Sequence, residues 1–279
     1  KSVISMDAKI IDLPIALFTQ FTLSTDLSEK LDALLGQNIN VTLTCRIDQM
    51  DSGSIKAAIK SENISIHFTS TIKDGILRCS EPIRASLIFT PKAGKIFLKE
   101  INPLLISAAH VKKPIEVIID NKGFSIPLKE YTFSKINIDE ARIDFGQMTV
   151  KNKGILGNII GFLKLKSFSK EKETNLWFTP IYFNIHQGKI NFKRSDALLA
   201  DTFPIATWGT IDVDKDQVDM VIAIHGLALE KAFGLKQLDA KYMLQMPLKG
   251  PTSNPKLDSR RATTKLTGLS MQGSKSDKA

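Results

Sequence analysis

The feature that most constrains this chain is a period-two alternation of apolar and polar residues, repeated in many short runs. In the run INVTLTCRI (Ile39–Ile47), apolar side chains alternate with Thr42, Thr44 and Arg46. Strict alternation with β-branched residues is typical of strands. The pattern recurs in SIKAAIKSE, NISIHFTSTI, GILRCSEPIRASLIF, KINIDEARIDFG, TPIYFNIHQGKINFKR, PIATWGTIDV, QVDMVIAIHG and DAKYMLQMPL. Short turns such as Asp74-Gly75 and Gln187-Gly188 join the runs, so we predict an antiparallel meander of about twelve or more strands.

Helical signals are few and short. DLSEKLDALLG (Asp26–Gly36) begins with capping residues and ends on Gly, and LALEKAFG (Leu227–Gly234) also ends on Gly. GILGNIIGFLKLK (Gly154–Lys166) is the most apolar candidate. KEINPLLISAAH and RSDALLADTF each predict a helical turn or two. The chain is therefore predicted to be mainly β with a few short helices.

One face of the later strands is apolar and the other is polar. The predicted apolar face carries Ile181, Phe183, Ile185, Ile190, Phe192, Val218, Met220, Ile222, Ile224, Tyr242, Leu244, Met246 and Leu248. Such sheets are apolar on one side and solvated on the other. A long curved antiparallel sheet covered by too few helices would leave this face as an open apolar groove, whereas a β-sandwich would bury it. We expect the groove and keep the sandwich as the alternative, since large apolar patches are seldom exposed without a use.

The net charge of +9 raises the question of an anionic partner, and its placement answers part of it. Residues 151–173 carry six Lys against two Glu, and residues 256–279 carry six Lys or Arg against two Asp, so each segment contributes +4 and the rest of the chain only +1. Arg accounts for 7 of the 38 basic residues, and base-edge or bidentate phosphate recognition favours Arg. We therefore do not expect nucleic-acid binding.

Signals of catalytic chemistry are absent from the sequence. The four histidines, His67, His110, His186 and His225, are scattered and lack metal-ligand spacing. There is no G-x-S-x-G, no P-loop and no G-x-G-x-x-G motif. The two cysteines, Cys45 and Cys79, fit either one disulfide or two small buried residues. We expect no enzymatic activity, no metal and no cofactor.

Two short segments of the chain resemble each other. GKIFLKEINPLL begins at Gly94 and GKINFKRSDALL begins at Gly188, with six of twelve positions identical. In both cases, strands flank the Gly and a Leu-Leu pair follows. This similarity is consistent either with a repeated groove-forming unit or with chance.

Three motifs in residues 178–258 resemble the carboxyl-terminal region of AsmA-like envelope proteins, relatives of TamB. They are Gly188-Lys189-Ile190, then Gly209-Thr210-Ile211-Asp212-Val213, then Met246-Pro247-Leu248-Lys249-Gly250 with Thr252, Asn254 and Pro255. The chain departs from the family pattern at Pro251, where such proteins usually have Thr directly after the Gly. The resemblance covers the last third of the chain well and residues 1–150 only in general β-groove character.

This resemblance implies a bridge-like lipid conduit, in which a long twisted β-groove carries phospholipid acyl chains between the membranes of a bacterial envelope. It implies a periplasmic protein attached to the inner membrane, with acyl lipid and bacterial membranes as partners. KSVISMDAKIIDLP lacks a signal-peptide pattern, and no run approaches about 20 apolar residues, so we expect any anchor to lie outside this sequence. The alternative function is a structural or assembly protein of the envelope, with a closed β-sandwich core and a protein partner.

The sequence predicts three regions. Residues 1–150 form a β-groove module with short helices, residues 151–258 form the AsmA-like module and begin with the apolar helix, and residues 259–279 form a flexible basic tail. The apolar residues of that helix are Ile155, Leu156, Ile159, Ile160, Phe162 and Leu163. With lysines at both ends, the helix fits either a cap on the groove or a segment that enters an anionic membrane interface.

Overall fold

The computed structural model of the 279-residue chain describes residues 3–17, 31–48, 52–94, 103–129, 132–165, 172–235, 238–239 and 241–276. Its strands are β1 Val3–Pro14, β2 Asn38–Asp48, β3 Gly53–Ser61, β4 Ile64–Lys73, β5 Ile76–Cys79, β6 Ile83–Leu87, β7 Ala108–Val111, β8 Ile115–Ile119, β9 Ile126–Pro127, β10 Ile138–Asp144, β11 Gln147–Lys151, β12 Glu173–Phe178, β13 Ile181–His186, β14 Lys189–Leu199, β15 Phe203–Asp212, β16 Gln217–His225, β17 Met243–Gly250 and β18 Lys256–Leu257.

Helices are short, as the sequence predicts. The α-helices are α1 Pro91–Ala93, α2 Gly154–Phe162, α3 Gly226–Phe233 and α4 Arg260–Ser276, and two 3-10 helices span Pro103–Ser107 and Phe133–Lys135. Residues 15–17 and 31–35 are also helical, whereas residues 26–30 of the predicted first helix lie outside the described residues. The predicted helix at Leu227–Gly234 is confirmed as α3, which ends at Gly234 with φ +67°.

All strands belong to one open antiparallel sheet, which confirms the predicted fold class. Each long strand pairs with the next one in the chain, so β1 pairs with β2, β2 with β3 and β3 with β4, and the same order holds from β14 to β18. Among the described residues no second sheet faces this one, so the architecture is not the β-sandwich that we kept as the alternative.

The strands in the middle of the sheet are long strands interrupted by short breaks. β5 and β6 together line β4, and β7, β8 and β9 together form the next strand of the meander. β10 and β11 together form the strand after that, β12 and β13 together form the following one, and β14 comes next. The sheet therefore passes the predicted boundary at residue 150 without interruption, since β11 pairs on both sides.

Several of these breaks lie opposite one another. Residues 112–114, 145–146 and 179–180 interrupt three neighbouring strands at matching positions, and the register of β14 shifts between Phe192 and Ser195 at the same level. We call this line of breaks the crease. It crosses the strands and interrupts their ladders at the same height.

Residue types explain the crease. Pro114 and Pro180 lack the N–H that a ladder requires, and Gly146 has φ +56°, which favours glycine. Hydrogen bonds still tie the neighbouring strands here, because Phe178 N donates to Gly146 O at 3.1 Å and Thr179 N donates to Asp196 O at 2.9 Å. The interrupted strands therefore remain hydrogen-bonded to their neighbours at the crease.

The predicted helical turns in RSDALLADTF are wrong. These residues extend β14 to Leu199, and the hairpin to β15 is made by Ala200 and Asp201, whose φ values are +52° and +53°. Ala197 and Leu199 point into the core and pair with Ile205 and Phe203 of the next strand. Cross-strand pairing and burial therefore override the helical propensity of the Leu and Ala residues.

Two other expectations differ from the structure. The segment predicted as a flexible tail forms α4 over Arg260–Ser276, and its Ala262 is buried at 1% exposure in the main core. Gly94 follows α1 with φ −56°, whereas Gly188 lies in a hairpin turn with φ +74°. The two halves of the predicted repeat thus differ at their first residue, and most of the first half lies outside the described residues.

Candidate functional site

The candidate site is the apolar face of the sheet, which can be followed from strand to strand through directly paired residues. One unbroken series of cross-strand partners consists of Ile10, Val41, Ile59, Ile66, Ala85, Val117, Ile143 and Ile181. We call this series the apolar row. Its seven strand spacings of about 4.8 Å give a length of roughly 34 Å.

Exposure falls along the apolar row. Ile10 is 40% exposed, the next five residues are partly buried, and Ile143 and Ile181 are 4% and 1% exposed. A single face of one sheet is thus accessible at one end and covered at the other. Such an arrangement differs from a uniformly packed core, in which exposure would be low throughout.

The accessible end of this face lies on the first four strands. We call it the open segment, and its side chains are Ile4, Met6, Ala8, Ile10, Val41, Leu43, Cys45, Ile47, Ile55, Ile59, Ile66 and Phe68. Ile4 is 69% exposed and Met6 is 45% exposed. Large apolar side chains grouped on one face form the kind of patch that binds an apolar ligand or a partner.

Sequence reasoning did not assign lining roles to the open segment. The alternation in Ile39–Ile47 signals a strand with one apolar face, but alternation alone does not say whether another element covers that face. The useful signal was the scarcity of helical segments before residue 90, because a sheet face without nearby helices has little to cover it.

The thirteen lining residues predicted from the later strands lie on the same face but at its covered end. Ten of them are less than 9% exposed, and Phe183, Ile190 and Tyr242 are partly buried against the core clusters. Met220, Ile222 and Met246 are completely buried. The structure therefore brings the predicted residues together in a packed core, and the groove is accessible elsewhere.

Helix α2 packs into that core. Leu156, Ile159, Ile160 and Leu163 are between 0% and 2% exposed and belong to the same cluster as the sheet residues. The side chain of Phe162 is partly buried, and its ring lies 6.1 Å from that of Phe233 in α3, edge to face. Ile155 is also only partly buried. In this structure α2 lies against the sheet as a cap.

The cap ends earlier than the sequence predicts. The helix was expected to continue to Lys166, but it ends at Phe162, and Lys164 has φ +52°. Leu163 and Leu165 are nevertheless buried in the core, at 0% and 9% exposure. After Phe162 the chain leaves the helix in a turn, so Leu163 and Leu165 are buried while Lys164 between them is exposed.

The opposite face of the sheet carries polar cross-strand pairs. Asn191 Nδ2 donates to Asn184 Oδ1 at 2.8 Å, and Thr210 Oγ1 donates to Asn191 Oδ1 at 2.9 Å. An ion pair joins Lys193 and Glu140, whose Nζ and Oε2 are 2.8 Å apart. Because these side chains are satisfied by one another, this face has no need of cover.

The two cysteines cannot bridge each other in this fold. Both are free thiols; Cys45 is on β2 and Cys79 on β5, with β3 and β4 between them. Three strand spacings separate them by about 14 Å, whereas a disulfide needs Cα atoms within about 7 Å. Burial raises the pKa of the Cys79 thiol to about 11. Cys79 therefore acts as a small apolar residue.

The histidines take part in polar contacts of the sheet surface. His186 Nε2 lies 3.3 Å from Asp139 Oδ1, and His225 Nε2 lies 3.1 Å from Asp196 Oδ1. Within the described residues, no three His, Cys, Asp or Glu side chains are grouped as metal ligands would be. In the same part of the chain, no helix combines the length and the apolar character needed to cross a membrane.

Comparison of this chain with protein-family models, with curated proteins and with solved structures finds no match.

Proposed function

We propose that this protein is a non-enzymatic lipid-binding and transfer protein, which holds phospholipid acyl chains on the apolar face of its sheet. Its working environment would be the periplasm of a bacterial envelope, with acyl lipid and the two bacterial membranes as partners. The observation that carries the proposal is the apolar row, which continues without a polar residue from the exposed Ile10 to the buried Ile181.

The dimensions of the open segment support this function. The apolar row crosses three strand spacings between β1 and β4, about 14 Å, and half of a bilayer's hydrocarbon core is about 15 Å. Each acyl CH₂ kept out of water contributes about 0.8 kcal/mol. A continuous apolar surface of this size can bind an acyl chain without recognising individual atoms, which agrees with the scarcity of polar side chains on this face.

Because one end of the groove is covered, the two ends of the groove differ in access to lipid. Side chains of α2 and α3 pack in the same core as the later strands, so an acyl chain on the open segment cannot extend into the region of Met220 and Ile222 unless these helices move. We infer that lipid enters at the β1 side of the sheet. The packed end keeps the sheet folded while the open segment is empty.

A single substitution on the open segment tests the proposal. Leu43 lies between Ala8 and Ala57 on the apolar face, and its neighbour Thr44 lies on the opposite face. We expect detergent-free wild-type protein to carry phospholipid, detected by mass spectrometry of a solvent extract. Leu43→Asp should lose most of this lipid, because a carboxylate would stand in the path of the chain.

Thr44→Asp is the matched control, since it introduces the same charge on the same strand but on the polar face. It should retain as much lipid as the wild type. The proposal fails if the wild-type extract contains no lipid, or if Leu43→Asp and Thr44→Asp retain equal amounts while both remain folded by circular dichroism.

One observation favours a second candidate function, binding of an envelope protein. β1 is an edge strand that pairs only with β2 among the described residues, and Val3 and Ile11 on its other face are 50% and 67% exposed. A long exposed edge can accept a strand from another polypeptide. In this case the purified protein would be free of lipid, and crosslinking from β1 would capture a polypeptide.

A further inference from the structure

A cavity of about 490 Å³ lies where the amino-terminal end of α2 meets the turn that connects β17 and β18. Its lining residues fall between Ser107 and Leu257 in the sequence, and none of them belongs to the open segment. Both its backbone and its side chains point to a ligand of one chemical kind.

The first turn of α2 offers backbone donors to this cavity. The helix has nine residues, and its N-cap, Lys153, makes no capping hydrogen bond with its side chain. The first amide with an acceptor inside the helix is that of Gly157, which donates to Lys153 O at 3.3 Å. The N–H groups of Gly154, Ile155 and Leu156, which line the cavity, precede it. Unpaired amides at the positive end of a helix favour an anion.

An independent observation comes from Ser107, at the end of the 3-10 helix that packs on α2. Ser107 lines the cavity and is only 7% exposed, yet its hydroxyl makes no hydrogen bond with any residue that the structure describes. A ligand oxygen in the cavity would satisfy it.

The charges around the cavity all have one sign. Lys153 and Lys256 line it, and no Asp or Glu does. Neither lysine forms an ion pair within the described parts of the chain. The side chains of Asn158 and Asn254 add amide donors at the rim. Two ammonium groups, helix amides and a hydroxyl together form a set of donors suited to phosphate oxygens.

We propose that this cavity binds a phosphate group, carried either by a lipid headgroup or by free phosphate. The site does not depend on the proposed binding of acyl chains, because phosphate alone can fill it. Two probes therefore separate the sources: inorganic phosphate, titrated calorimetrically in a phosphate-free buffer, and flotation with phosphatidylcholine vesicles that contain or lack phosphatidic acid.

The test variant is Lys153→Gln with Lys256→Gln, and Ser107→Ala is a second, uncharged variant. Lys60→Gln with Lys73→Gln is the control, since it removes the same charge from exposed positions on β3 and β4. We expect the test variant to weaken phosphate binding by at least about tenfold, since each charge-assisted hydrogen bond contributes about 1.5–3 kcal/mol. Ser107→Ala should weaken it by a smaller factor, and the control should bind like the wild type.

Each outcome is decisive. Tight binding of inorganic phosphate that only the cavity variants weaken supports a free phosphate ligand. Flotation that requires phosphatidic acid and is lost only in the cavity variants, without binding of inorganic phosphate, supports a lipid headgroup. If neither probe binds, or if the cavity and control variants behave alike while folded, the proposal is overturned, whatever the solvent extract shows about acyl lipid.

Discussion

Positions in this sheet differ sharply in the substitutions that they tolerate. Gly209 is the clearest case. Its φ is +137°, and a Cβ added there would lie 2.5 Å from both Asp219 O and Met220 Cα of the neighbouring strand. Gly209→Ala should therefore destabilise the protein by about 2–4 kcal/mol, through strain and through displacement of β16. Urea unfolding followed by circular dichroism measures the change.

Gly268→Ala is the matched control, because Gly268 lies within α4 and an added Cβ would meet no atom within 4 Å. It should leave stability unchanged or raise it by up to about 1 kcal/mol. Equal effects of the two substitutions would contradict the close approach of β15 and β16 at Gly209.

The two thiols should differ in reactivity. With a pKa of about 11, Cys79 is about 0.1% thiolate at pH 8, and it is only 6% exposed. Cys45 lies in the partly exposed open segment. We expect iodoacetamide to alkylate Cys45 first and Cys79 only in denaturant, as peptide mapping by mass spectrometry would show. Rapid alkylation of native Cys79 would show that its strand is not packed as described.

Among the structural elements, α2 connects the packed core to the cavity at its end. Ile159→Asp places a carboxylate at a completely buried position and should destabilise the protein by about 3–5 kcal/mol or prevent folding. Gly161→Asp introduces the same group at an exposed position of the same helix, where no atom lies within 4 Å of the new Cβ, and should change stability by less than about 1 kcal/mol. Thermal unfolding of the two variants measures the difference.

If Ile159→Asp were as stable as Gly161→Asp, α2 would not be packed on the sheet. That result would favour the alternative in which the helix enters a membrane interface. Because both variants carry the same added charge, a general electrostatic effect on the basic segment 151–173 cannot produce a difference between them.

Elements were predictable where the local pattern and the tertiary structure agree. Alternation in Gln217–His225 predicts β16, and the apolar run Gly154–Lys166 predicts α2, which ends at Phe162. In each case the buried side chains follow the period of the element itself. The segment RSDALL was not predictable in this way, since its strand conformation depends on pairing with Phe203 and Ile205 across a hairpin. Its propensity alone favours a helix.

At the scale of the whole molecule, the free energy needed to open a strand locally should rise from β1 to β17. Opening of β1 exposes little buried apolar surface, whereas opening of β15 or β16 disrupts the main core. Hydrogen exchange measured by mass spectrometry should therefore be at least about tenfold faster in β1–β3 than in β15 and β16. Uniform exchange along the sheet would contradict this gradient.

Acyl-lipid binding adds a second expectation to the same measurement. A ligand that binds only the folded open segment should slow exchange in β1–β4 and leave β15 and β16 unchanged. Slower exchange at the packed end alone would mean that lipid enters beneath α2 and not at the open segment.

The class of the fold was predictable from sequence, but the location of the accessible surface was not. Alternation identifies a two-faced sheet, and the choice between open and covered depends on where a helix such as α2 returns over it. Leu43 and Met220 have the same local pattern, yet Leu43 is partly exposed and Met220 is completely buried. Met220 shares its core with residues of α2 and α3, whereas no described helix residue packs in that core beside Leu43.

The crease has a consequence for how such a sheet can change size. Because it crosses the strands from β7 and β8 to β14, it runs in the same direction as the apolar row, but it does not reach the open segment on β1 to β4. The number of strands determines the length of the groove. Substitutions at Pro114, Gly146 or Pro180 would therefore act on the covered end of the apolar face, whereas a strand paired with β1 would lengthen the open segment by about 4.8 Å.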